Sequence, residues 1–263
     1  MSDKTPLCVD LDGTLIHSDL LLESFLLLLK RNPLYLLLAF LWLLGGKARL
    51  KSEIASRVSL NGSALPYTKP LMAWLQVQKE GARPLWLVTA SDHRLALAVA
   101  DHVGLFDGVL ASNGQTNLAG GNKAAELVRR FGVKGFDYAG NHRVDLKVWA
   151  CARRAIVVNA GDGLVAAANK VAEVTHVVPP LTGVPRSVAK AMRVHQWAKN
   201  ALVVVPLLAS HRLFEVPVLV DAVLAFLAFS LCASSVYLLN DMLDLEADRQ
   251  HHTKCNRPFA AGV

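Results

Sequence analysis

Short apolar runs alternate with helix-like segments through residues 6–178. The runs read PLCVD, RPLWLVTA, DGVLAS, FDYAG, RRAIVVN and EVTHVV. Strands that alternate with helices in this way usually form one mostly parallel sheet with helices packed on its faces. The pattern therefore predicts an α/β domain over residues 1–178.

A leucine-rich block interrupts this alternation directly after the first run. It reads LLLESFLLLLKRNPLYLLLAFLWLLGG, and the stretch 30–33 divides it into two apolar pieces. Each piece is shorter than the roughly 20 residues that a helix needs to span a membrane. Two interpretations stay open: a helical cap over residues 19–75, or a helical hairpin that lies in the membrane interface.

The pattern of apolar and polar residues changes after residue 178. Residues 179–192, PPLTGVPRSVAKAM, contain three prolines and are predicted to be a linker. Two apolar runs follow, ALVVVPLLAS and AVLAFLAFSLCASSVYLL. The second has no charge and is a good candidate for a membrane span. The first contains Pro206 and spans only if residues 194–197 also enter the interface.

Composition and charge agree with a membrane-associated chain. Hydrophobic residues make up 53% of it and charged residues 19%, below the roughly 25% of soluble proteins. The net charge of +7 suits nucleic acid, anionic lipid or a phosphorylated substrate. The four cysteines have no zinc-binding spacing, which favours a reduced, cytosolic setting.

Basic residues flank both apolar runs, whereas the connecting segment SHRLFEVP carries one arginine and one glutamate. Because basic residues stay on the cytoplasmic side, both outer ends are predicted to be cytoplasmic. We therefore expect a multi-pass protein of the cell membrane, with its N-terminal domain in the cytoplasm.

Polar residues stand at several predicted strand ends and helix starts. In VDLDGTL, Asp10 and Asp12 follow the first strand. Thr89 ends LWLVT, Lys123 opens KAAELVRRF, and Asp145 follows FDYAG. Open α/β sheets bind ligands at the carboxyl ends of their strands, so these groups are expected to face one pocket.

This ordered set resembles the haloacid dehalogenase superfamily, mostly phosphatases, over roughly residues 6–178. The resemblance implies a Rossmann-like parallel sheet in which Asp10 attacks phosphorus and Asp12 acts as general acid and base. It implies that Thr89 binds the phosphoryl group and that Lys123 neutralises its charge. It also implies that Asp10, the carbonyl of Asp12, and Asp145 hold Mg²⁺.

One position departs from that family's pattern. The fourth motif usually begins Gly-Asp, and here it reads AGNHRVD, with Asn141 in place of the acid. An asparagine ligates through its carbonyl but removes one negative charge. Weaker Mg²⁺ binding is expected, and a non-catalytic scaffold remains an alternative. His142 and Arg143 are predicted to be surface residues.

Polar residues also border the second apolar region. RVHQWAKN places Arg193, His195, Lys199 and Asn200 at one end of a predicted helix. They could clamp a phosphate at the membrane surface, or the charges could serve only to orient the chain.

A cluster of acids follows the second apolar run, in NDMLDLEADRQ. On a helix, Asp241, Asp244 and Asp248 stand at i, i+3 and i+7 and share one face. Like charges repel at this spacing, so cations are expected between them. Acids next to a membrane segment are a functional-site hypothesis.

This arrangement resembles the first aspartate-rich motif of the UbiA superfamily of intramembrane prenyltransferases, over roughly residues 188–263. The flanks are most similar to the branch resembling decaprenyl-phosphate phosphoribosyltransferase. The resemblance implies that Asp241, Asp244 and Asp248 hold Mg²⁺ against a diphosphate. It implies substrate-binding roles for Arg193, His195, Lys199, Asn200, Asn240, Lys254 and Arg257.

The resemblance also implies further membrane helices and a second aspartate-rich motif, which the sequence does not contain. Residues 193–263 are therefore expected to be the N-terminal part of a UbiA-type helical bundle, an all-α transmembrane segment that is incomplete in this chain. We also expect this chain to show no transferase activity by itself.

Together, the two resemblances predict a Mg²⁺-dependent phosphatase domain fused to a prenyl or phosphoribosyl transferase. The expected partners are a polyprenyl phosphate or prenyl diphosphate, phosphorylated small molecules and the membrane, with no nucleic acid. A membrane-anchored phosphatase without transferase activity remains the alternative.

Overall fold

The computed structural model describes residues 4–181, 184–209 and 215–262. The contacts divide the chain into two compact units, residues 1–181 and 182–263.

The first unit is built on a six-stranded sheet in which all neighbouring strands are parallel, in the order β3-β2-β1-β4-β5-β6. Each apolar run of the sequence contains one strand, so the prediction of a parallel α/β sheet is confirmed. The strands are β1 (Leu7–Val9), β2 (Leu85–Asp92), β3 (Gly108–Ser112), β4 (Asp137–Gly140), β5 (Arg154–Val158) and β6 (Glu173–Val178).

Two apolar cores cover the two faces of this sheet. Side chains alternate in direction along a strand, so Leu7 and Val9 of β1 enter one core and Cys8 enters the other. Burial raises the pKa of the Cys8 thiol far above its usual range. This cysteine is therefore a packing residue and a poor nucleophile.

Eight α-helices belong to the described part of the first unit. They are α1 (Leu20–Arg31), α2 (Tyr35–Leu44), α3 (Lys47–Ala55), α4 (Lys69–Glu80), α5 (His93–Val103), α6 (Gly121–Phe131), α7 (Leu146–Trp149) and α8 (Asp162–Asn169).

The leucine-rich block forms α1 and α2, and with α3 it makes a small helical layer inserted between β1 and β2. Asp19 caps α1, and Asn32 and Pro33 follow its end. A cluster of four buried residues holds the three helices together: Leu28, Ala39, Trp42 and Ile54. The predicted cap, residues 19–75, also includes the first half of α4. That helix packs in the sheet core through Leu71 and Leu75, so the separate layer is shorter than predicted.

The described residues of the second unit are helical. They form α9 (Val184–Ala191), a 3₁₀ helix (Val194–Val204), α10 (Val205–Ala209), α11 (Val216–Leu243), α12 (Leu245–Gln250) and α13 (Pro258–Ala261), with a short 3₁₀ turn at Lys254–Asn256. Among the described residues, α11 alone is long and apolar enough to cross a membrane. The mean hydropathy of its most apolar 18 residues is 2.3.

Two expectations about this region differ from the structure. Residues 179–192 were predicted to be a linker, but they contain the helix α9. Pro185 stands in the first turn of this helix, where proline is compatible with helical structure. The first apolar run forms a 3₁₀ helix followed by the five-residue α10 and is not a spanning helix. Residues 210–214 of the connecting SHRLFEVP lie outside the described residues, so the two-span topology remains a prediction.

Candidate functional site

Asp10 stands at the carboxyl end of β1 and forms a buried ion pair. The Lys123 ammonium donates to Asp10 Oδ1 at 2.7 Å and to the Tyr138 hydroxyl at 2.9 Å. Lys123 comes from the first turn of α6, 113 positions further along the chain. The fold therefore brings the predicted nucleophile and the predicted cation together, and it adds Tyr138, which sequence reasoning missed.

Asp12 is fixed by three hydrogen bonds. The Leu20 amide donates to Oδ1 at 2.8 Å, and the Ser91 hydroxyl donates to Oδ2 at 2.8 Å. Thr89 donates to the same Oδ2 at a longer 3.4 Å. Ser91 was not predicted, although it follows Thr89 by two residues. Two hydroxyls at that spacing in a strand point the same way, which was the available signal.

Asp145 organises the loop that follows β4. Its Oδ1 accepts from the Tyr138 hydroxyl at 3.1 Å. Its Oδ2 accepts from the amides of Asn141 at 3.1 Å and His142 at 2.9 Å. Asp145 therefore meets the Asp10–Lys123 pair through their shared neighbour Tyr138.

Asn141 lies over the turn that carries the two predicted catalytic acids. A Cβ atom added to Gly13 would stand 2.1 Å from Asn141 Nδ2, and Gly13 has a φ of +72°. The positive φ favours glycine at this position. The side chain that replaces the expected acid thus lies against the predicted catalytic loop. His142 and Arg143 are exposed, as predicted.

Two further residues at this edge of the sheet, Lys51 and Asn159, belong to no sequence motif. Lys51 of α3 donates to the Ala90 carbonyl at 2.6 Å, near the end of β2. Asn159 follows β5 with a φ of +52° and donates to the Gly13 carbonyl at 2.8 Å and to Thr68 at 3.2 Å. In sequence, Lys51 resembles any lysine on a solvated helix face, so only the fold reveals these contacts.

The negative charge of the buried acids exceeds the positive charge of the nearby cations. Burial raises the pKa of Asp10 to about 7; Lys123 opposes this shift, while Asp145 and Asp12 reinforce it. Burial also raises the pKa of Asp12, with Asp19 adding to the effect. Desolvation therefore makes the ionised carboxylates unfavourable unless more positive charge is present.

This donor set fits a hard divalent cation. Carboxylate, carbonyl and amide oxygens suit Mg²⁺, and the turn at Asp10 and Asp12 faces Asn141 and Asp145. Among the described residues, no three carboxylate, imidazole or thiol side chains cluster tightly enough to hold a metal by themselves. A cation here would need carbonyl, amide or water oxygens as well.

In the second unit, arginines surround two buried acids. Arg257 donates to Asp241 Oδ1 at 3.0 Å and to Asp248 Oδ2 at 2.7 Å. Arg193 also donates to Asp241, at 3.0 Å, and Lys254 lies 3.8 Å from Asp248. The cation between the acids of this structure is therefore a guanidinium. A metal ion at the same place would have to displace it.

The expectation that three acids share one continuous helix face is wrong. Helix α11 ends at Leu243, and α12 begins at Leu245. Asp244 lies at this break with a φ of −101° and is exposed. The break therefore interrupts the helix between Asp241 and Asp248, which both meet Arg257.

The remaining predicted binding residues of this unit divide into two groups. Arg193, Lys199 and Asn200 line one small cavity of about 50 Å³, in which the Asn200 amide donates to Ser230 at 3.0 Å. His195 and Asn240 are exposed. Their roles remain predictions.

Comparison with known proteins identifies relatives that extend beyond this chain. No protein-family model matches it. Protein y4nM of Sinorhizobium fredii is 36% identical over 263 residues, which cover 98% of this chain and 50% of that protein. Decaprenyl-phosphate phosphoribosyltransferase of Mycobacterium tuberculosis is 48% identical over 91 residues, which cover 33% of this chain and 30% of that enzyme. The chain spans half or less of the length of these relatives.

A solved structure is also similar to this chain. Phosphoserine phosphatase in its apo form matches 67% of this chain and 94% of its own, with a TM-score of 0.46 and 12% identity. With so low a TM-score and sequence identity, the similarity does not indicate an activity.

Proposed function

We propose that the first unit hydrolyses phosphomonoesters with the help of Mg²⁺. The observation that carries this proposal is the buried Lys123–Asp10 ion pair at the carboxyl edge of a parallel sheet. Asp12 stands at the same edge, hydrogen-bonded to two hydroxyls. Nucleophile, acid and cation are the parts that phosphoryl transfer through a covalent intermediate requires.

The proposed reaction has two balanced steps. An oxygen of Asp10 forms a bond to phosphorus, the ester P–O bond breaks, and the leaving oxygen takes a proton from Asp12. Water then gives one of its own protons to Asp12 and attacks the phosphorus, the bond between phosphorus and the Asp10 oxygen breaks, and inorganic phosphate leaves with Asp10 restored. Lys123 stabilises the negative charge on the phosphoryl oxygens.

A bound Mg²⁺ would neutralise charge at this edge and orient the phosphate. Asp10, the carbonyl of Asp12, and Asn141 or Asp145 are the residues that would hold it. Thr89 and Ser91 donate to Asp12 in this structure and would turn to the phosphoryl group when it binds.

Substitution of Asp10 tests this proposal. The full chain in detergent micelles should hydrolyse p-nitrophenyl phosphate with Mg²⁺, and Asp10→Asn should lower kcat by about 10³-fold or more, as expected for a lost nucleophile. Asp241→Asn, an equivalent change in the second unit, should leave this activity unchanged. A folded wild-type chain without activity at high Mg²⁺ would instead support the scaffold alternative.

A second function is proposed for the second unit, because the matched enzyme of Mycobacterium tuberculosis is 48% identical over a segment about as long as this unit. We infer that residues 193–263 are the N-terminal part of a UbiA-type transferase of prenyl or phosphoribosyl groups. Its substrates would be polyprenyl phosphate or prenyl diphosphate, and Mg²⁺ at Asp241, Asp244 and Asp248 would have to displace the Arg257 guanidinium. The chain would be a multi-pass membrane protein with its first unit in the cytoplasm.

The two proposed activities would act in sequence. Transfer of phosphoribose to a lipid phosphate leaves a 5-phosphate on the sugar, and a phosphatase in the same protein could remove it. In a longer protein that carries the remaining part of y4nM, Asp241→Ala should stop lipid glycosylation, whereas Asp10→Asn should let a phosphorylated lipid accumulate. Unchanged lipid products in Asp10→Asn would show that the two activities are not consecutive.

A further inference from the structure

An apolar groove runs between the three inserted helices of the first unit. Its volume is about 560 Å³, within the range of ~300–1,000 Å³ that small-molecule sites occupy. Side chains from all three helices line it, among them Leu22, Phe25, Leu36, Phe40, Leu43 and Leu50. Among the residues that line it, Asp19 alone is charged.

The groove and the proposed catalytic site share two structural elements. Asp19 lines the groove, and the amide of the next residue, Leu20, donates to Asp12 at 2.8 Å. Helix α3 contributes Leu50 to the groove, and its next residue, Lys51, reaches the Ala90 carbonyl at 2.6 Å. One end of this helical layer is therefore apolar and the other meets the acids and lysines of the site.

Several residues that line the groove are too exposed to be ordinary core. Leu36 is 59% exposed and Phe40 is 64% exposed. Contiguous exposed apolar surface of this kind marks a binding site in most soluble folds. A small, soluble phosphate ester would leave it uncovered, whereas a hydrocarbon chain would cover it.

We propose that this groove binds the hydrocarbon chain of a lipid-linked phosphomonoester, whose phosphate enters the site at Asp10. The occupant matches the surface, since its apolar tail meets leucines and phenylalanines and its anionic head meets Lys51 and Lys123. Hydrolysis of that lipid rests on the proposed phosphatase function, but occupation of the groove does not. The helix α11 supplies an independent reason to expect lipid near this chain.

Photocrosslinking in a membrane tests the occupant without relying on catalysis. The probe is dodecyl phosphate with a diazirine in its chain, added to the full chain in phosphatidylcholine nanodiscs. Crosslinks should map by mass spectrometry to groove residues such as Phe25, Leu36 and Phe40. Excess dodecyl phosphate should remove them, and dodecanol at the same concentration should not.

Helix α2 offers a matched pair of variants. Leu36→Ser with Phe40→Ser changes two exposed groove residues, and Leu37→Ser with Leu41→Ser changes two residues of similar exposure, 67% and 57%, that do not line the groove. All four side chains are exposed, so neither pair should unfold the protein. Loss of two apolar contacts should lower groove crosslinking about tenfold in the first pair only.

Kinetics provide the second readout. The groove variant should lower kcat/KM for dodecyl phosphate about tenfold through KM and leave p-nitrophenyl phosphate unchanged. The control variant should change neither. Equal loss in both variants, or crosslinks spread equally over Leu37 and Leu41, would overturn the proposal and indicate that α2 lies on the bilayer surface. Competition by dodecanol would also overturn it.

Different results would contradict the phosphatase proposal and the lipid proposal. Hydrolysis of p-nitrophenyl phosphate without groove crosslinking would remove the lipid proposal and keep the phosphatase. Phosphate-dependent groove crosslinking in a protein that hydrolyses neither ester would keep the lipid proposal and remove the phosphatase.

Discussion

Both units of this chain bury carboxylates, but they surround them with different cations. In the first unit, Asp10 has one lysine partner, and burial raises its pKa to about 7. In the second unit, Asp241 and Asp248 share Arg257, and Arg193 adds a further contact to Asp241. An ammonium is a single point charge, whereas a guanidinium is a rigid fork that satisfies several oxygens at once.

A fourth acid, Asp137, shows that the kind of cation depends on the role of the acid and not on the unit that contains it. Asp137 starts β4, at the edge of the sheet opposite to Asp10, and is almost fully buried. Arg83 and Arg153 both donate to it, and Arg153 does so through two bonds of 2.9 and 2.7 Å. Paired with arginines, this acid stabilises the fold. The acid with one lysine retains unbalanced charge, which a metal or a phosphoryl reaction can use.

The sharpest test of this contrast changes Asp137 and Asp10 of the first unit in separate variants. Asp137→Asn should lower the free energy of unfolding by about 3–5 kcal/mol, because it takes the carboxylate away from the buried Arg83 guanidinium and from the partly exposed Arg153. Asp10→Asn in metal-free buffer should instead raise it by about 1 kcal/mol, since a carboxylate with a raised pKa opposes folding when ionised at neutral pH.

Hydrogen exchange of peptides from β1, β4 and β5 in the full chain measures both effects. Asp137→Asn protein that remains folded should keep wild-type kcat on p-nitrophenyl phosphate. If the two variants shift protection in the same direction, the division into structural and functional acids is wrong.

A second test addresses the arginine-paired acids of the second unit. Arg257→Ala should destabilise that unit by about 2–3 kcal/mol, because it removes charge-assisted hydrogen bonds to two buried carboxylates. Lys254→Ala, which removes a cation 3.8 Å from Asp248, should change little. Limited proteolysis of the unit in detergent measures both. Rescue of Arg257→Ala by millimolar Mg²⁺ would show that a metal can take the place of the guanidinium.

A third test changes Asn141 and concerns metal affinity. An acid at this position adds a negative charge beside Gly13 and close to the two proposed catalytic acids. Asn141→Asp should therefore raise Mg²⁺ affinity about tenfold, which corresponds to about 1.4 kcal/mol. The Mg²⁺ dependence of phosphatase activity measures it, with Asn113→Asp on an exposed loop as the control. Unchanged affinity would mean that Asn141 does not ligate the metal.

Local patterns in the sequence determined much of this protein. Six apolar runs predicted six strands, and one uncharged run predicted helix α11, because backbone conformation and burial depend mainly on neighbouring residues. The positions of Asp10, Asp12, Thr89, Lys123 and Asp145 at strand ends and helix starts were also visible, since parallel strands gather their carboxyl ends at one edge.

Other features required the tertiary structure. The helical spacing of Asp241, Asp244 and Asp248 suggested one face of a continuous helix, but the helix is interrupted at Asp244. That break is not visible in a periodicity that assumes a continuous helix.

The partners of the acids were decided by contacts between distant parts of the chain. Lys123 reaches Asp10 across 113 positions, and Lys51 comes from an inserted helix. Arg257 folds back to meet Asp241 and Asp248. Such pairings depend on how helices and strands pack. Residue types and spacing could suggest Lys123 as a cation of the first site, but not that Lys51 reaches the end of β2 or that Arg257 pairs with both acids.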